Sequence, residues 1–115
     1  MRHFIGLLFA LTALTGCATQ KTLYAWGQYE TLLYSVHAKP GAVPPEQQIE
    51  KLEQDYQKAR SQQKPVPPGW HAHLGFLYYQ VGKLDQTQQQ FETEKAAFPE
   101  SVVFMDRLLA RLNKS

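Results

Sequence analysis

The chain has 115 residues, with twelve Lys and Arg against ten Asp and Glu and a formal net charge of +2. That length holds one small domain and excludes two, and a composition of 43% hydrophobic, 19% charged and 12% aromatic residues excludes disorder throughout. So small and scattered a charge also excludes a surface built to track nucleic-acid phosphates.

In chain order, Met1, Arg2 and His3 precede an apolar stretch of 11 residues, 4–14. A helix that crosses the hydrocarbon of a bilayer needs roughly 20 apolar residues, so this stretch fits the central region of a secretory signal peptide. Leu14, Thr15, Gly16 and Cys17 resemble the lipobox of bacterial lipoproteins. The resemblance implies cleavage after residue 16, a diacylglycerol thioether on the Cys17 sulfur and an acyl chain on the new terminal amine. At about 0.8 kcal/mol per buried methylene, two or more chains anchor a protein durably where one does so only marginally. Cys17 is the only cysteine, so a lipidated chain keeps no thiol for a disulfide, a zinc site or a nucleophile. Ala18, rather than Asp, resembles the outer-membrane class. The expected organisation is a signal peptide at 1–16, a lipidated terminus and short tether at 17–21, and one helical domain at 22–115.

Trp26, Tyr29, Leu33 and Val36 predict a first helix, weakened by Gly27. Two proline-rich breaks follow, at 39–45 and 64–69, each with a Val-Pro-Pro triplet before a helical pattern. Proline suits a helix start, where its missing N–H would have had no partner. Between the breaks, Ile49, Leu52, Tyr56 and Ala59 mark one face of a helix. Trp70, Leu74, Leu77, Tyr78 and Val81 mark the next, which Gly82 stops. Leu84, Phe91 and Phe98 recur every seven residues up to Pro99, and Met105, Leu108 and Leu112 carry a last helix that Ser101 can cap. The glutamines of 86–90 read as an uncharged solvated face. No alternating strand pattern occurs, so the expected fold is all-α.

Leu74, Gly75 and Tyr78 reproduce the L-G-x-x-Y core of the tetratricopeptide repeat, with Phe91 and Pro99 at its Phe and Pro positions. Gly75 would let two antiparallel helices approach closely, Tyr78 and Phe91 would fill the space between them, and Pro99 would end the pair. His71 replaces the motif's tryptophan, and Thr87 and Glu94 replace its small residues. One repeat cannot bury both faces, so the expectation is a tetratricopeptide-like hairpin with flanking capping helices, four to five in all. Residues 24–30, 66–69, 72–75, 98–101 and 104–108 together resemble a family of small bacterial lipoproteins of unknown function. That resemblance implies a tetratricopeptide-like region and a gene often placed beside a lipoprotein similar to the curli secretion channel.

Candidate sites are few. His71 and His73 are two apart on a helix and point about 200° away from each other, so they cannot share one metal ion unaided. Packing of His73 beside Leu74 and Leu77, with His71 meeting water, is the expectation. Glu92 and Glu94 diverge in the same way, and neither a Ser-His-Asp grouping nor a phosphate-cradling glycine loop is present. The feature that stands out is a second apolar stripe, Ala72, Phe76 and Tyr79 with Gln80 alongside. In tetratricopeptide arrays the equivalent positions line the groove that takes peptides. Tyr24, Trp26, Tyr29 and Tyr34 either cover this stripe or dock on a partner, and the pattern leaves both open.

The expected function is a non-catalytic protein-binding adaptor in a cell-envelope or surface-export assembly. It would be lipid-anchored at the outer membrane, on the periplasmic face, with Cys17 as the lipidation site and Ala72, Phe76, Tyr79 and Gln80 as the partner-binding residues. Partners would be other envelope lipoproteins or a channel subunit, with no cofactor, metal, nucleic acid or small-molecule substrate. A pilotin-like escort that localises a channel subunit is the alternative, and a metal carrier or hydrolase using His71, His73 and Glu94 a third.

Overall fold

The computed structural model describes residues 22–114. Helix α1 spans Tyr29–Ala38, α2 Pro45–Ser61, α3 Trp70–Gln80, α4 Leu84–Ala97 and α5 Val102–Leu112, with a 3₁₀ turn at Pro99–Ser101. No strand occurs among the described residues, and the architecture is all-α with five helices, as the periodicity predicts. The signal peptide, Cys17 and the tether at 17–21 lie outside the described residues.

Proline and glycine set the boundaries by different means. Pro45 opens α2 at its first turn, where no N–H is missed. At the second break Pro67 is buried and Gly69 precedes α3 with φ +89°, a left-handed conformation that an L side chain resists. Gly82, at φ +80°, reverses the chain between α3 and α4.

Successive helices from α2 to α5 pack antiparallel. Glu53 meets Tyr78 and Tyr56 meets Trp70 across α2 and α3. Gly69 meets Glu94, and His71 meets Gln90, across α3 and α4. Lys95 meets Asp106 at 2.6 Å across α4 and α5. A main core of Tyr29, Leu32, Leu52, Trp70, Leu74 and Leu77, with neighbours from the same helices, lies between α1, α2 and α3. A smaller one joins Phe91 to Met105 and Leu109. Residues 22–27 run along the end of the bundle where α3 and α5 begin: the Ala25 N–H donates to the Pro65 carbonyl at 2.8 Å and Tyr24 meets Phe98 edge-on. Both α3 and α5 therefore run away from that end.

Four local expectations need correction. Helix α1 begins at Tyr29, after a turn in which Gly27 adopts φ +50°, and buries Tyr29 and Leu32; of the predicted stripe Leu33 is half-buried, and Trp26 and Val36 are exposed. In α4 the seven-residue spacing meets the buried face only at Phe91. Leu84 is exposed and Phe98 half-buried, while Thr87 and Glu94 are buried with Phe91. Thr87 tolerates burial because its hydroxyl donates to the Lys83 carbonyl at 3.1 Å. Ser101 does not cap α5: its hydroxyl turns back to the Phe98 carbonyl at 2.7 Å, because the 3₁₀ turn already holds its backbone in a helical conformation. Gln90 leaves the solvated face of α4 to bond His71.

Candidate functional site

Helices α3 and α5 flank α4 and leave a groove between them. Phe76 and Tyr79 from α3 form one wall, Leu108, Arg111 and Leu112 from α5 the other, and Phe91 of α4 the floor, around about 240 Å³. The groove exists because α4 approaches α3 at a glycine. A Cβ on Gly75 would stand 2.7 Å from the Phe91 ring, so the bare backbone admits that ring beneath α3. Phe76 and Tyr79 are each 50% exposed, a large aromatic area left uncovered on a small domain.

Of the four sequence-predicted binding residues, the fold brings Phe76 and Tyr79 together in this groove. Ala72 is half-buried and packs against the cluster of Phe91, Met105 and Leu109. Gln80 is exposed and is not part of the lining. The aromatic N-terminal segment does not cover the stripe. Tyr24 packs on Phe98, Trp26 stacks on Tyr29, and Tyr29 meets His73, all near the opposite end of α3, while Tyr34 is exposed. Sequence reasoning used Leu108 and Leu112 only to mark the last helix and missed that they form the far wall. The signal was there: they flank Arg111 on one stripe of α5, and in a repeat hairpin the next helix stands parallel to the first.

The histidines serve separate surroundings. His71 is buried, against the expectation that it meets water. Its Nδ1 bonds Gln90 Oε1 at 2.7 Å, and its ring sits edge-on to Trp70 and Tyr56. His73 faces the Tyr29 ring with Nε2 buried and unbonded, and burial lowers its pKa below the ordinary value. The carboxylates diverge as well. Glu92 is 3.5 Å from the Lys95 ammonium, while Glu94 is buried and accepts the Gly69 N–H at 2.7 Å at the start of α3, where a negative charge is favoured. Burial first, and the Glu94 charge second, raise the pKa of the Tyr29 hydroxyl. No group of three or more His, Cys, Asp or Glu able to hold a metal ion occurs among the described residues.

A second, polar concavity of about 530 Å³ separates α2 from α3 and α4. Two pairs of its polar groups bridge helices: the Tyr78 hydroxyl donates to Glu53, and His71 bonds Gln90. Burial, then the bond to Glu53, raises the Tyr78 pKa. These pairs join helices and leave the apolar groove as the surface best suited to a macromolecular ligand.

No helix among the described residues is long and apolar enough to cross a membrane. A family model described as a domain of unknown function (DUF4810) matches residues 23–108. Searches among curated proteins and among solved structures each return no match.

Proposed function

The chain belongs to the DUF4810 family, and from that premise we propose that it is a lipoprotein of the outer membrane whose helical domain is a non-catalytic adaptor. Acyl chains on Cys17 and on its amine would hold it at the periplasmic face, in a cell-envelope or surface-export assembly. The observation that carries the reading is the uncovered groove of Phe76 and Tyr79 opposite Leu108 and Leu112. It suits the apolar face of a helix from a channel subunit or a second envelope lipoprotein, the mode in which spaced apolar anchors enter a groove. The tetratricopeptide-like spacing of Leu74, Gly75 and Tyr78 supports the same use of α3. Confinement of both partners to one membrane raises their effective concentration, so a shallow groove suffices.

Crosslinking in intact membranes followed by capture tests this. An envelope lipoprotein or channel subunit recovered with the wild-type chain and lost with a Phe76→Ala, Tyr79→Ala double variant that still unfolds cooperatively, its melting temperature lowered only by the modest loss that two half-exposed side chains carry, is the expected result. Equal recovery with both chains contradicts it. Deletion of the gene separates adaptor from escort: an adaptor's loss leaves the channel in place but inactive, and an escort's loss mislocalises it.

A further inference from the structure

The tether enters the domain beside a surface whose chemistry suits lipid headgroups. Thr22, the first described residue, is five positions after Cys17. A chain spans at most about 3.6 Å per residue, so a lipid on Cys17 keeps Thr22 within roughly 18 Å of the lipidated residue, whatever the tether's conformation. The adjoining face is therefore held close to the bilayer. On that face Leu23 is 72% and Trp26 37% exposed, and the Tyr24 ring meets those of Trp26 and Phe98 edge-on. Two shallow depressions flank this segment, of about 520 and 310 Å³. Arg60 and Lys64 line one, and Lys58 and Lys64 the other. Asp55 is the one carboxylate in either lining, and it is engaged by the backbone N–H of Gln28 at 2.7 Å and by the Gln28 side chain at 3.3 Å.

An amphipathic ring beside an apolar side chain and three bases is the combination that a bilayer surface selects. Rings settle at headgroup level, and cations within a Debye length gain from anionic phosphates. We propose that this end of the domain docks on anionic phospholipid headgroups, with Leu23 and Trp26 in the interface and Lys58, Arg60 and Lys64 against the phosphates. The proposal rests on the anchoring of Cys17 argued above. It also assigns an orientation. Helices α3 and α5 run away from the docked end, and the six to nine steps from Trp70 to Phe76 and Tyr79 place the groove about 9–14 Å along α3. The surface of Phe76 and Tyr79 then faces the aqueous side, clear of the headgroups.

The chain has two tryptophans, and Trp70 is 1% exposed, so a quencher at headgroup depth reads Trp26. The test uses the mature lipidated protein in vesicles of phosphatidylethanolamine and phosphatidylglycerol that carry a headgroup-level quenching lipid, with the mass of the Cys17 peptide measured on the same sample. Strong quenching in the wild-type chain, lost in Trp26→Phe, is expected. A Lys58→Glu, Lys64→Glu variant should shift the ratio of docked to free domain by roughly tenfold or more, and added salt should act in the same direction. Unquenched Trp26 on a lipidated chain overturns the docking and leaves the anchor standing. A bare Cys17 sulfur overturns both.

Discussion

Gly75 of α3 and Phe91 of α4 are packed so closely that a Cβ on Gly75 would lie 2.7 Å from Phe91 Cε1. The ring has little room to retreat, because Phe91 is 4% exposed and forms a cluster with Met105 and Leu109. Overpacking a closed site costs about 1–3 kcal/mol, and replacing a helical glycine by alanine returns about 1 kcal/mol. Gly75→Ala is therefore expected to destabilise the domain by about 1 kcal/mol net, read as a lower urea midpoint at unchanged slope. A stabilised variant would show that α3 and α4 do not close on this glycine.

That contact was legible from sequence because the spacing of Leu74, Gly75, Tyr78 and Phe91 has one mechanical meaning. The buried face of α4 was not, because two of its three members, Thr87 and Glu94, are polar. Their burial is made tolerable by the Lys83 carbonyl and the Gly69 N–H, and hydropathy records neither bond. His71 and Gln90 hide from a periodicity analysis for the same reason, since each is buried or half-buried through the other. Sequence left Phe76 and Tyr79 divided between core and groove. Their exposure depends on where α5 and the N-terminal aromatics come to rest, which is long-range geometry that no local pattern encodes.

His73 makes stability depend on pH. Burial holds its folded pKa below the ordinary imidazole value, so folding favours the neutral imidazole. The stability this contributes is complete above the unfolded pKa and is lost as pH falls through the lowered folded value. Wild-type protein should lose stability as pH falls below about 6.5, the ordinary imidazole value, and His73→Leu, which cannot titrate, should show a shallower decline over that range. Denaturant midpoints measured at several pH values check it; parallel profiles would remove His73 as the source.

Neighbours on α3 should respond unequally to truncation. Leu77 is 1% exposed and packs in the main core, so Leu77→Ala should cost about 2–5 kcal/mol. Phe76 is the larger side chain, yet at 50% exposure its removal forfeits only about half of the burial free energy of such a residue, about 1 kcal/mol. Equilibrium unfolding of the two variants gives the comparison. A Phe76→Ala loss as large as that of Leu77→Ala would mean that the stripe is core.

Asp55 joins the N-terminal segment to α2 through the Gln28 N–H at 2.7 Å and the Gln28 amide at 3.3 Å. The approach is close enough that a Cβ on Gly27 would stand 2.5 Å from the same carboxylate. Removing the acceptor leaves the Gln28 N–H unpaired at a cost of about 1–3 kcal/mol, and the loss should fall first on the segment that the bond holds. Asp55→Ala is expected to accelerate amide hydrogen exchange across α1 and the residues before it while α3 and α4 keep wild-type protection, because local openings follow the contacts of each unit. Asp55→Asn, which retains an acceptor, should recover part of the protection. Uniform acceleration through all five helices would instead make the N-terminal segment part of one cooperative unit with the hairpin, and the docked face beside Trp26 would then be as rigid as the core beneath it.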